Sequence, residues 1–154
     1  MSDWIEQIDI DGDRYDLKDL QTEALAQQNE QDIADIKASA DYSATEHLTG
    51  RKWIDGRPTY EKTISCGALP NATGKAVAMN ISDLAFPVNV KGVAMVASEG
   101  RALPLPFVHT DSIYSVCLYA NYNQVMIVTG IDRSSWTSSY VTVEYVKTTD
   151  TPQP

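Results

Sequence analysis

A histidine, a carboxylate and a serine, the three residue types of a hydrolase relay, fall within four positions at His109, Asp111 and Ser112. A relay is a spatial arrangement backed by an oxyanion hole, which sequence proximity does not supply. No nucleophile-elbow pattern accompanies the three residues. The plainer reading is a polar loop ahead of a strand that starts at Ile113. His47 is the only other histidine, and no His or Cys stands at the spacing of a zinc site. The carboxylates of the C-terminal half (Asp83, Glu99, Asp111, Asp132, Glu144 and Asp150) are scattered. Nothing in the sequence pairs two of them for glycoside hydrolysis. Asp9, Asp11 and Asp13 invite a calcium loop, but the glycine is at its fourth position instead of its sixth, and Leu20 stands where a bidentate glutamate belongs. Phosphate-cradling glycine motifs are absent. Catalytic, cofactor-binding and metal-binding residues are therefore assigned to none, and the chain is read as no enzyme.

The residues with binding chemistry are aromatic. Tyr114, Tyr119, Tyr122, Trp136 and Tyr140 are interleaved with Asn121, Asn123, Ser134, Ser135, Thr137, Ser138 and Ser139. Rings beside amides and hydroxyls can stack on sugars or anchor a protein contact. Tyr119, Asn121, Tyr122, Asn123 and Trp136 are taken as the candidate surface-binding loops. The competing reading is that the tyrosines fill strand faces and that Trp136 plugs the end of a sandwich. Cys66 and Cys117 lie far apart in apolar settings and read as small buried hydrophobes without a disulfide.

These residues need elements to hold them. The chain has 154 residues, 43% of them hydrophobic, and a net charge of −9. Residues 1–50 hold 13 acidic against 3 basic residues, and residues 51–154 hold 8 against 9. The acidity belongs to the N-terminal third, which places a boundary near residue 50. An acidic surface with no basic patch excludes nucleic acid. The opening Met1-Ser2-Asp3-Trp4 is the reverse of a secretory leader. No apolar run approaches the roughly 20 residues that span a membrane. Assembly in the cytoplasm is expected, without membrane insertion.

Residues 4–17 predict a hairpin turning at Asp11-Gly12. Residues 17–41 predict a helix about 38 Å long, free of Gly and Pro. Ala26, Asn29, Ile33, Ile36 and Ala40 follow the 3-4 spacing of a coiled-coil seam. So polar a helix needs partners: sister chains, or alternatively the face of its own β domain. Thr49-Gly50 ends this stalk. Strands are expected at 60–64, 76–81, 88–96, 113–119, 125–129 and 140–147, with turn residues between them. Val141, Val143 and Tyr145 share one face of the last strand, and Thr142, Glu144 and Val146 the other. Residues 148–154 are expected to fray. The fold class is α+β, mainly β. It comprises an N-terminal attachment hairpin (1–16), a coiled-coil-like helical stalk (17–49) and a C-terminal antiparallel β-sandwich (50–154), with a trimer as the expected assembly.

Two stretches carry a family likeness. Ile8-Asp9-Ile10-Asp11-Gly12-Asp13-Arg14-Tyr15-Asp16-Leu17-Lys18-Asp19, leading into the polar helix, resembles the N-terminal segment of many phage tail and head-fibre proteins. Trp53-Ile54-Asp55-Gly56-Arg57-Pro58-Thr59-Tyr60-Glu61-Lys62-Thr63-Ile64 is the more specific stretch. Together with Leu69-Pro70-Asn71 and the closing segment 142–150, it is similar to a β-rich module at the C-terminal end of phage fibres and receptor-binding proteins. The resemblance implies a homotrimeric virion protein that attaches to capsid or tail through its N-terminal region. Its β domain would face outward towards a host surface glycan or protein. No catalytic residue comes with the likeness. One helix and one β domain, shorter than a long tail fibre, imply a head fibre or tail-tip component. The alternative is a monomeric carbohydrate-binding module without a fibre role.

Overall fold

The computed structural model describes residues 7–10 and 13–153, and it divides into two compact units, 1–40 and 41–154. In the first unit, β1 (Gln7–Ile10) pairs antiparallel with β2 (Asp13–Asp16), from Gln7 opposite Asp16 to Ile10 opposite Asp13. The Asp11-Gly12 turn, and with it the full Asp9-Asp11-Asp13 set, lies outside the described residues, as do residues 1–6. Helix α1 (Leu17–Ala40) follows β2 directly. It has no Gly or Pro, Gln28 donates to Asp32 one turn on at 2.8 Å, and Lys37 in the last turn faces the negative end of the helix dipole. Side chains 21–34, 36 and 37 are all exposed, including Leu25 at 64%, Ile33 at 52% and Ile36 at 67%.

The second unit starts at Asp41, nine residues before the compositional break. Residues 47–49, expected to close the stalk, instead open an edge strand, β3 (His47–Lys52). Gly50, at φ +72°, does not end a helix: it sits where the pairing of β3 with its neighbour shifts register. The remaining strands are β4 (Pro58–Ser65), β5 (Gly74–Ala78), β6 (Leu84–Val96), β7 (Arg101–Leu105), β8 (Val116–Asn121), β9 (Gln124–Thr129) and β10 (Ser138–Lys147). They make a five-stranded sheet ordered β3-β4-β10-β6-β7 and a three-stranded sheet ordered β5-β9-β8, both antiparallel. The class is therefore mainly β within α+β.

One core joins the two sheets. Val141, Val143 and Tyr145 of the central strand β10 are fully buried, as are Val125 and Ile127 of β9. Each such aliphatic side chain contributes about 1.5–3 kcal/mol by leaving water. Gly92 lets β6 lie close on β10, because a Cβ there would stand 2.7 Å from the Tyr140 carbonyl oxygen and 3.1 Å from Val141. β7 was not foreseen. Its Pro104 cannot donate to a ladder, and the strand stands at the sheet edge, where that donor is not needed. Ile113 does not begin a strand; residues 112–114 form a short 3-10 turn and β8 starts at Val116.

Two further expectations change. Cys66 is buried, but Cys117 is exposed, because it alternates outward along β8 beside buried Val116. Residues 148–153 are pinned at both ends, and residue 154 lies outside the described residues: Thr148 N donates to Asp83 O at 2.8 Å and Gln153 N to Asp55 O at 2.7 Å.

Candidate functional site

The outer face of the five-stranded sheet is polar by strand alternation. β4 presents Thr59, Glu61, Thr63 and Ser65, and β10 presents Tyr140, Thr142 and Glu144. Register sets Tyr140 between Ser65 and Val93, Thr142 between Thr63 and Lys91, and Glu144 between Glu61 and Asn89. The face divides into two halves by charge.

In one half, Arg51 closes the surface. Its Nε donates to Glu144 at 3.1 Å, and its Nη2 lies 3.0 Å from Glu144 and 3.9 Å from Glu61. Thr59 Oγ1 donates to Glu144 at 2.8 Å. The hydrogen bond to Glu144 holds the Arg51 pKa above its usual value, against the opposing effect of burial. Glu144 is thus paired with a cation that also reaches towards Glu61.

The other half is a groove of about 490 Å³ over the middle strands β4, β10 and β6. Residues 41–46 run beside β4, with Thr63 N donating to Ser43 O at 2.7 Å, and they place Tyr42 over the groove. Tyr42 is 73% exposed and Tyr140 41%. Between the rings lie the hydroxyls of Thr63 and Thr142, 3.0 Å apart, and that of Ser65. The Lys91 ammonium lies 5.7 Å from the Tyr42 ring centre, and no described acidic side chain pairs with it.

The segment carrying Tyr42 is anchored at its far end by Glu46, which accepts from the buried Tyr145 hydroxyl and from Lys147 Nζ. Burial raises the Glu46 pKa, but the hydrogen bonds from Lys147 and Tyr145 outweigh it, and the carboxyl sits below its ordinary value. Burial, then Glu46, raises the Tyr145 phenol. The Tyr60 ring stacks on Tyr145 at 6.0 Å, and the Lys147 ammonium stands 4.8 Å from the Tyr60 centre.

A second, more open groove of about 550 Å³ lies between residues 81–87 and the β8–β9 turn. Tyr122 is at this turn, 89% exposed with φ +52°, and Phe86 and Asp83 line the opposite side. Asn123 is tied to the frame: its amide donates to Ile81 O at 2.6 Å, and its oxygen accepts from Ile81 N at 3.2 Å.

The residues expected to make binding loops do not converge. Tyr122 and Asn123 share the second groove. Tyr119, 46% exposed, and Asn121 point outward from the three-stranded sheet with Cys117. Trp136 is only 7% exposed, sits in the core, and is covered by the Arg101 guanidinium at 4.9 Å, so its ring is not a surface-binding group. Of the seam positions, Ala26, Asn29, Ile33 and Ile36 are exposed; the side chain of Ala40 lies outside the described residues. His109, Asp111 and Ser112 make a turn. His109 Nδ1 accepts from Asp111 N at 3.1 Å, and Asp111 Oδ1 accepts from Ile113 N at 3.2 Å. Tyr42 and Lys91 escaped the sequence reading, since neither lies in the aromatic cluster. The available signal was the outward hydroxyl row of Thr63, Ser65 and Thr142.

No known family model, curated protein or solved structure matches the chain.

Proposed function

We propose that the chain is a virion subunit of a bacteriophage, a short homotrimeric fibre of the head or tail tip. Its N-terminal region attaches to capsid or tail proteins, its helices associate as a coiled-coil stalk, and its β unit faces the host surface. The observation that carries this reading is α1. Over residues 21–34 no side chain is buried, and Leu25, Ile33 and Ile36 stand exposed on an otherwise polar helix. A helix of this kind gains its stability from packing against other chains. Asn29 on the seam sets register. Threefold symmetry also multiplies the grooves of the β unit, so a weak single contact becomes useful avidity. The groove between Tyr42 and Tyr140 is the surface that such a fibre presents.

Light scattering on the full chain tests the assembly. The expected mass is about 51 kDa, three times the 17.0 kDa of the chain. Ile33→Asp with Ile36→Asp is expected to give a folded monomer. A wild-type monomer at micromolar concentration overturns the fibre reading and leaves a monomeric binding module.

A further inference from the structure

We infer that the groove between Tyr42 and Tyr140 binds an acidic saccharide, a glycan segment carrying a carboxylate. This names the ligand class for the surface in the fibre reading and rests on that reading for its biological setting.

Three observations define the occupant. The groove has two exposed tyrosine rings, at Tyr42 and Tyr140. The C–H faces of a pyranose are apolar and stack on such rings, while the hydroxyls at the ring rim stay wet. The floor carries the hydroxyls of Thr63 and Ser65, with buried Thr142 beneath them bonded to Thr63 at 3.0 Å. Each hydroxyl can donate and accept, as sugar hydroxyls require. The third observation is charge. Arg51 pairs with Glu144 and reaches Glu61 only at 3.9 Å, whereas Lys91 has a tyrosine ring beside it and no acidic partner among the described residues. The described lining of the groove holds the Lys91 ammonium and no carboxylate, a local positive charge that suits an acidic ligand.

The geometry disfavours an extended peptide. A strand-adding peptide needs an open sheet edge, and this groove lies over β4, β10 and β6, with β3 and β7 flanking them. A nucleic acid needs a run of cations along its backbone, and among the described residues Lys91 alone is a cation lining the groove.

The test uses the full chain on an array of oligosaccharides bearing hexuronate or sialate, printed beside their neutral counterparts, followed by titration of the best binder. A carboxylate-bearing glycan is expected to bind at least about fivefold more tightly than its neutral homologue, with the preference fading as salt is added. Lys91→Gln is expected to lose about fivefold and to erase the preference. Tyr42→Ala, at a site 73% exposed, is expected to lose about tenfold for both sugars while the melting temperature holds. Three results overturn the inference: no carboxylate-bearing glycan bound, equal binding of acidic and neutral partners, or affinities untouched by both substitutions. The mass of the same sample separates the two claims. A trimer that ignores acidic glycans refutes the ligand and keeps the fibre; a monomer that binds them refutes the fibre and keeps the groove.

Discussion

Removing the Glu46 carboxylate should destabilise the β unit by more than a surface ion pair is worth. The Tyr145 residue is 0% exposed, and its hydroxyl donates to Glu46. Glu46→Ala strands that hydroxyl without an acceptor, at about 1–3 kcal/mol. It also removes the pairing with Lys147, which stands near the surface and adds about 0–1 kcal/mol. The expected loss is therefore about 1–4 kcal/mol, centred near 2 kcal/mol. Tyr145→Phe removes the donor along with the bond and is expected to cost about 1 kcal/mol. In the double variant no hydroxyl is stranded, so its loss should fall short of the sum of the two by about 1 kcal/mol. Urea unfolding followed by tryptophan fluorescence reads these values. With a slope of roughly 2 kcal/mol/M, the midpoint of Glu46→Ala should fall by about 1 M. The folded Glu46 pKa is below its ordinary value. Its contribution is thus fully present above the unfolded pKa and is lost as pH falls through the folded one. The stability difference between wild type and Glu46→Ala should shrink on acidification. Strictly additive losses, or a difference that is flat with pH, would refute the reasoning.

Two other outcomes follow from the core. Gly92→Ala places a Cβ 2.7 Å from the Tyr140 carbonyl oxygen, a backbone atom that cannot swing aside. The separation of β6 from β10 must grow, at about 1–3 kcal/mol, and calorimetry should show the melting temperature down by roughly 3–10 °C. The two thiols should react unequally with a disulfide reagent at pH 8. Cys117 is exposed, whereas burial pushes Cys66 up to about 11, so one thiol reacts at once and the second only at the rate of unfolding.

The fold was legible wherever one face of an element is buried. Val141, Val143 and Tyr145 alternate with Thr142 and Glu144, and this period of two marked 140–147 as a strand, whereas its central place in the sheet follows only from pairing with β4 and β6. The helix was legible from its composition. β3 and β7 were not: Gly50 interrupts one, and Pro104 breaks the other between buried Leu103 and Leu105. The groove was harder still. Its rings come from Tyr42, in the segment before β3, and from Tyr140, on the seventh strand after it. No local pattern links two residues that meet only through the register of β4, β10 and β6. Trp136 shows the converse. Its polar neighbours suggested a binding loop, but those neighbours face water while the indole itself packs inward beneath Arg101.

Charge sets the proposed stalk and the proposed site against each other in one measurable respect. Helix α1 carries five Asp or Glu residues against two lysines. Three such helices side by side repel one another, and the hydrophobic seam must overcome that repulsion. Added salt screens the repulsion, so raising it from roughly 10 mM to 500 mM should increase the trimer fraction at a fixed protein concentration. The contact of Lys91 with an acidic saccharide is an attraction between opposite charges, and the same salt should weaken it. A sedimentation series and a glycan titration run in the same buffers should therefore move in opposite directions. Dissociation of the trimer by salt would mean that ion pairs between chains, and not the Ile33 and Ile36 seam, hold the stalk together.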